Sequence, residues 1–448
     1  MKNSISSLRC AGLLGSVLAL VFSSLVFATS TGPVEVRIEV DRPVLPAGSS
    51  QTAIVKVALA GVRLPARHRA PVNLALVIDR SGSMSGDKIA RARDAAIEAV
   101  RRLGPDDRVD IIVYNNYAHT LVPSQRVGDG RNLENTIASI STGGGTNLYG
   151  GLEVGAVEVR RYIEDNYVHR VILLSDGLAN VGPSSPAELG QFGSDLVRQG
   201  ISVSTIGVGV DFNEDLMTRL ARRSDGNTYF VQHSSDLAQI FRQELGDVLN
   251  VVARRVVVAV TFPAGVRPRR IVGRDGRVED QRVVVELNQL YGGSEKFALI
   301  EVDVEPGRAG SQRELAHATV AYEELSGSRT TKKGISARVS FSAREQDVVD
   351  HANQDVQVAY AENRIAEAKD EVISLVDAGR QDEAAARLES VSSSLGLMAK
   401  LFGNSRVERL AAPAAVEAER VKKEGLDNVT RKAYRADNAQ TVNQQTRD

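Results

Sequence analysis

Asp79-Arg80-Ser81-Gly82-Ser83 puts one carboxylate and two hydroxyls on a short stretch directly after the apolar run Val72 to Ile78. Gly143-Gly144-Gly145-Thr146-Asn147 presents another hydroxyl just before a helix-like segment, and Asp176 follows a second apolar run that ends at Ser175. Carboxylate, hydroxyl and water oxygens suit magnesium, calcium or manganese, whereas zinc and copper prefer nitrogen and sulfur. With only two carboxylates and neutral hydroxyls around it, a divalent ion keeps residual electrophilicity and a coordination position filled by water. An acidic side chain of a partner can replace that water. The competing reading is structural: Asp and Ser also favour turns and helix caps, so Asp79 and Ser83 need only cap the helix that follows. Arg80 reads as a solvated rim residue, and Asn147 and Asp87 as loop or cap residues.

Those five positions need elements to bring them together. Nearly unbroken apolar runs at Val72 to Ile78, Val109 to Tyr114, Val171 to Leu174 and Ile201 to Val208 have the pattern of strands covered on both faces. Helix-like segments lie between and after them at Lys88 to Leu103, Leu148 to Ile163, Pro186 to Arg198, Glu214 to Arg223 and Asp236 to Leu249. The alternation predicts a doubly wound, mostly parallel sheet between two helix layers. In such a sheet, ligands collect beyond the carboxyl ends of the strands near a topological switch point, where all three oxygen-bearing loops fall.

The flanks have another texture. Val34 to Val40 and Thr52 to Leu59 alternate apolar with polar residues around Pro43, Pro46 and Gly48. Alternation returns after Arg255 at Val256 to Phe262, Val283 to Leu287, Ala298 to Val304, His317 to Tyr322 and Ile335 to Phe341. Two early strands form no stable core alone, so both flanks are read as one β-sandwich with the α/β domain inserted. Helix formers dominate from Arg344, with an antiparallel pair at Asn363 to Ala378 and Asp382 to Leu395. The expected division is a signal peptide at 1–28, a β-sandwich from 33–68 plus 254–343, the inserted domain at 69–252, a helical C-terminal region at 344–437 and a disordered tail at 438–448.

Asp79, Ser81, Ser83, Thr146 and Asp176 stand in the order and contexts of the metal-ion-dependent adhesion site. The segment from Val72 to Leu249 thereby resembles the von Willebrand factor type A domain and the inserted domains of integrins. The resemblance implies a Rossmann-like fold and a divalent cation, Mg2+ first and Ca2+ or Mn2+ next, held at those five residues. It implies that the two serines and either Thr146 or Asp176 contact the ion directly, and that a protein partner presents Asp or Glu to it. A type A domain set into a β-sandwich with helices following resembles the bacterial proteins called calcium-activated chloride channel homologues and, more distantly, the inter-α-trypsin inhibitor heavy chains. No apolar segment after Phe27 is long enough to span a bilayer, so no helical pore is expected from this chain.

The rest of the composition narrows the function. A net charge of -1 offers no basic surface for phosphate backbones, so nucleic acid is not expected as a partner. Lys2 and Arg9 precede an apolar run from Ala11 to Phe27 that ends in Val26-Phe27-Ala28, the pattern of an export signal. The expected destination is the periplasm, the cell surface or the medium, with an uncleaved N-terminal anchor as the alternative. The only cysteine, Cys10, lies before that run, so the exported chain has no disulfide and no cysteine-ligated zinc. His68, His119, His169, His233, His317 and His351 are scattered, and none belongs to a His-Glu-x-x-His pair. Gly-x-Ser-x-Gly and phosphate-loop signatures are missing too. The sequence therefore predicts a cation-dependent adhesion or assembly module and no enzyme. A scaffold in which the metal only stabilises the domain is the alternative, and metal-assisted hydrolysis a third reading for which nothing supplies a general base or second ion.

Overall fold

The computed structural model describes residues 32–445 apart from 64, 66–68 and 326–328. The export segment, Cys10 and His68 lie outside the described residues.

In chain order the first strands are β1 (Val34–Val40), β2 (Val44–Pro46) and β3 (Gln51–Gly61). The α/β unit follows: β4 (Val72–Asp79), α1 (Asp87–Arg102), β5 (Arg108–Tyr114), β6 (Ala118–Arg126), α2 (Arg131–Ala138), α3 (Leu148–Arg160), β7 (Val168–Ser175), α4 (Pro186–Arg198), β8 (Ile201–Val208), α5 (Glu214–Arg223), β9 (Thr228–Val231) and α6 (Leu237–Val248). Its sheet runs β6-β5-β4-β7-β8-β9. All neighbours are parallel except β5 and β6. The chain moves outward from β4 to β5 and β6, then returns to the other side of β4 with β7, so the switch point lies at β4 beside β7.

β4, β7 and β8 are buried along their whole length because helices cover both faces. On one face Leu74, Leu76 and Ile78 pack with Ile89, Ala96, Phe241 and Leu245. On the other Ala75, Val77 and Tyr114 pack with Leu148, Leu152, Leu196 and Leu220. Gly151 lets α3 approach: a Cβ there would sit 2.6 Å from Cδ1 of Tyr114, so this helix turn accepts no larger residue without moving the strand.

Strands β10 (Val251–Thr261), β11 (Val266–Val272), β12 (Arg277–Glu279), β13 (Arg282–Tyr291), β14 (Glu295–Val304), β15 (Gln312–Glu324) and β16 (Arg329–Ser342) complete the second unit. One sheet runs β1-β3-β14-β11 and the other β12-β13-β10-β15-β16-β2, so strands from both sides of the α/β unit share each sheet. Their inner faces meet in a core that includes Val55, Val57, Val258, Val260, Ile300, Val320 and Tyr322. The fold is thus a doubly wound α/β domain inserted in a β-sandwich and followed by helices.

The C-terminal part differs from the pair read in the sequence. Among the described residues it has five helices: α7 (Glu345–Asp350), α8 (Gln354–Asp377), α9 (Gln381–Phe402), α10 (Ser405–Glu424) and α11 (Asn428–Val442). α8 closes the outer face of the sandwich, where Val356 and Ala359 meet Ile54, Val272 and Leu299. The tail expected to be disordered from 438 is instead helical to Val442 and packed. Asn438 Nδ2 donates to Asp370 Oδ1 at 3.0 Å, and the Thr228 amide donates to Gln445 Oε1 at 3.2 Å. Polar composition misled here because these amides complete hydrogen bonds at an interface between units.

Candidate metal centre

β4 ends at Asp79, and its neighbour β7 ends at Ser175 beside Asp176, so both carboxylates emerge side by side at the switch point. Both are fully buried. The Ser81 amide donates to Asp79 Oδ1 at 2.8 Å, and Ser175 Oγ donates to Asp79 Oδ2 at 2.9 Å. Ser83 Oγ donates to Asp176 Oδ1 at 2.7 Å and lies 3.0 Å from Ser81 Oγ. Thr146 is buried on the third loop, and its Oγ1 converges on Ser83 Oγ across Gly177: a Cβ at Gly177 would stand 3.6 Å from the first and 3.4 Å from the second. Asp79, Ser81, Ser83 and Asp176 are thus joined directly or through Ser175 in one hydrogen-bonded group, with Thr146 facing it across Gly177.

The capping explanation does not hold. Gly86 is the N-cap residue of α1, and the short 3-10 turn Gly82–Met84 receives no side-chain cap from Ser81. Asp79 and Ser83 face each other's neighbours and not a helix end. Asn147 does cap α3, accepting from the Gly150 amide, and Asp87 sits in the first turn of α1, as their sequence positions suggested.

The loops are bound to one another through their backbones. The Gly82 amide donates to Gly144 O at 3.0 Å, and the Gly143 amide to Arg80 O at 2.8 Å. Gly144 adopts φ of +89°, which a glycine accepts without strain. Asn115 Nδ2 donates to Gly143 O, Asn116 Oδ1 accepts from the Gly145 amide, and Asn180 Oδ1 accepts from the Thr146 amide. These three asparagines and Ser175 were not singled out in the sequence, and their signal is weak, because loop asparagines are common for turn reasons alone.

Lys88 is the residue most clearly missed. From the first turn of α1 its Nζ reaches Asp176 Oδ2 at 2.5 Å, while its side chain remains 29% exposed. The centre thus combines two buried carboxylates, the hydroxyls of Ser81, Ser83, Thr146 and Ser175, and one ammonium. Burial is the main reason the Asp79 carboxyl titrates above its ordinary value; the Ser81 and Ser175 hydrogen bonds oppose the rise, and the charge of Asp176 adds to it.

Does this donor set fit a divalent cation? Among the described residues no group of three or more His, Cys, Asp or Glu side chains is arranged to hold a metal ion, so they offer no nitrogen- or sulfur-rich site. The set at the switch point is all oxygen apart from Lys88. Two buried carboxylates of like charge, each with only hydroxyl, amide or ammonium hydrogen bonds, leave negative charge that a hard cation would neutralise. The residues fit.

A mostly parallel sheet carries these oxygen-bearing side chains on the loops after β4 and β7 and on the loop between α2 and α3. Residues 73–243 match the family model of the von Willebrand factor type A domain, and that stretch of the chain is such a domain. A Synechocystis sp. (strain ATCC 27184 / PCC 6803 / Kazusa) protein, sll0103, is 26% identical over 347 residues, 72% of this chain and 78% of its own length. Human inter-alpha-trypsin inhibitor heavy chain H4 is 30% identical over 201 residues, 43% of this chain, and the match spans only 21% of the heavy chain. Among solved structures, the von Willebrand factor type A protein from Catenulispora acidiphila superposes with a TM-score of 0.64 at 17% identity, covering 89% of this chain and 91% of its own. That last likeness is one of fold.

Proposed function

We propose that the protein is a divalent-cation-dependent protein-binding module that grips an acidic residue of its partner at the centre formed by Asp79, Ser81, Ser83, Thr146 and Asp176. The observation carrying this reading is the convergence of two buried carboxylates and three hydroxyls from three separate loops that already hold one another by backbone hydrogen bonds. A bound divalent cation, Mg2+ before Ca2+ or Mn2+, supplies a Lewis-acidic position where a partner carboxylate replaces water. Asp79 and Asp176 contribute the charge that retains the ion, and the hydroxyls complete the set without neutralising it.

The rim supports the same reading. Tyr117 is 78% exposed on the loop whose Asn116 holds Gly145, and Leu178, 60% exposed, follows Asp176 and Gly177. Large exposed apolar side chains beside a charged site suit the contact area around a docked carboxylate. Export through the segment 1–28 would place the site outside the cytoplasm. Among the described residues no helix is long and apolar enough to cross a membrane.

The test is a calorimetric titration of the chelator-treated protein with Mg2+, Ca2+ and Mn2+, beside Asp79→Ala. Saturable binding in the wild type and its loss in the variant are expected, with the circular dichroism spectrum unchanged. Equal binding in both would move the ion elsewhere and sink the assignment.

A further inference from the structure

A cavity of about 620 Å3 opens where the α/β domain, the sandwich and the last helix meet. Its walls come from the ends of α4 and α5, from β10 and β13, from the turn between β11 and β12, and from the end of α11 at Val442 and Asn443. Six arginines line it: Arg198, Arg222, Arg223, Arg255, Arg274 and Arg277. Three carboxylates, Asp225, Asp275 and Glu286, face them. The chain as a whole has a net charge of -1, so a local excess of three positive charges in one concavity is a departure from the rest of the molecule.

The carboxylates are already engaged. Asp275 pairs with Arg222 at 3.1 Å and Glu286 with Arg277 at 3.0 Å. Asp225 accepts from the Gln289 amide at 3.1 Å and lies 3.9 Å from the ammonium of Lys296. Arg198 and Arg255 have partners outside the cavity, Asp195 and Glu323. Arg274 and Arg223 remain. Arg274 directs Nε, at 3.2 Å, and Nη2, at 2.5 Å, to the neutral Oε1 of Gln444. Among the described residues neither Arg274 nor Arg223 makes an ion pair with a carboxylate. Burial pushes the Arg274 guanidinium down to about 10, and nearby Arg222 pushes the same way against Asp225 and Asp275. Such a cation gains by acquiring an anion.

We propose that this cavity binds a small polyanion with at least two clustered oxyanion groups, of the diphosphate or sulfate-ester type, with Arg223 and Arg274 as its principal contacts. Planar guanidinium groups suit such oxygens because each offers two parallel donors. The volume lies within the usual range for small-molecule sites and exceeds what a single phosphate fills. The ligand would touch all three units at once and so bind the C-terminal helix more firmly to the type A domain.

The experiment is a calorimetric titration of the full, chelator-treated chain with inorganic diphosphate in one arm and a sulfated disaccharide in the other, at ionic strength matched with sodium chloride. One-to-one saturable binding is expected in at least one arm, and the arm that binds identifies the source of the oxyanion. Arg223→Gln and Arg274→Gln should each weaken it by about tenfold or more, while Arg126→Gln, a surface arginine on β6, leaves it unchanged. Arg274→Gln also loosens Gln444, so Arg223→Gln, an exposed residue, guards against a folding artefact. No saturable binding in either arm, or equal binding in the wild type and both cavity variants, would overturn the proposal.

Discussion

Lys88→Met should tighten cation binding. Lys88 Nζ sits 2.5 Å from Asp176 Oδ2, and the other oxygen of that buried carboxylate accepts only from Ser83 Oγ. Removing one member of a buried ion pair costs about 3–5 kcal/mol. The Lys88 side chain is 29% exposed, so part of the pair is screened by water, and about 2 kcal/mol is the reasonable figure. The metal-free variant should therefore lose about 2 kcal/mol, or roughly 4–8 °C in the melting transition of a domain this size. A divalent ion beside Asp176 would take over the neutralisation that Lys88 provides, and in the wild type it would do so against the repulsion of an ammonium or the cost of moving it aside.

Around the thermodynamic cycle, what the metal-free variant loses reappears as affinity: about 2 kcal/mol, or roughly thirtyfold tighter binding of Mg2+ or Mn2+. Lys88→Arg, which retains the charge, should behave like the wild type. The assay is calorimetry for affinity with scanning calorimetry at zero and saturating metal. The melting difference between wild type and Lys88→Met should shrink on loading. Equal or weaker binding by Lys88→Met, with the melting difference unchanged by metal, would refute the idea that the ammonium and the ion compete for Asp176.

Further predictions concern stability and the junctions between units. Burial holds the His169 imidazole down to about 4, against an ordinary value of 6.5; Asn73 and the Glu164 carbonyl are its hydrogen-bond partners. Its folded form stays neutral while the unfolded chain takes up a proton below pH 6.5, so stability should fall by about 2–3 kcal/mol as pH drops from 6.5 toward 4. Urea unfolding at pH 7 and 4.5 checks this: His169→Gln should show a shallower loss, and parallel losses would contradict the assignment. Lys432 is buried on α11 with its ammonium on Glu214 and, at 2.8 Å, on Phe212 O, so Lys432→Met should loosen α11 from α5. Because Arg431 still holds Glu214 at 2.6 Å, the loss should be about 2 kcal/mol, seen as faster hydrogen exchange in α11 with the sheet of the type A domain unaffected.

The parts legible in the sequence were those whose signal is local and repeated. β4, β7 and β8 are buried on both faces, so their apolar runs announce a covered parallel sheet. Two of the three oxygen-bearing loops follow from strand order alone, since the ends of β4 and β7 are neighbours in any sheet that switches direction at β4, whereas the Thr146 loop lies between α2 and α3 and is brought in by its hydrogen bonds to the other two. Elements whose signals conflict were harder to see. α9 runs through Ser392, Ser393, Ser394 and Gly396 to its cap at Gly403, where φ is +63°. These residues weaken helix propensity, and packing of Val391, Leu395 and Ala399 against α8 and α10 overrides them. α10 contains Pro413, which reads as a helix end but is absorbed within a helix whose Val407, Ala411, Ala418 and Val421 are buried.

Lys88 and Arg274 were invisible for a different reason. A lysine in the first turn of an amphipathic helix, or an arginine in a turn between strands, is by default a solvated charge. What changes their meaning is a partner far along the chain: Asp176 lies 88 residues from Lys88, and Gln444 lies 170 residues from Arg274. Composition and spacing describe what a residue can bind, whereas burial beside such a distant partner decides whether its charge must be compensated. The Lys88 ammonium is compensated by one member of the oxygen set, which makes it a competitor for the ion. The Arg274 guanidinium hydrogen-bonds an amide oxygen and, among the described residues, makes no ion pair, which makes it a recipient for an anion. The same electrostatic rule thus assigns opposite roles to the two cations, and the two titrations proposed above test it at two separate places in one chain.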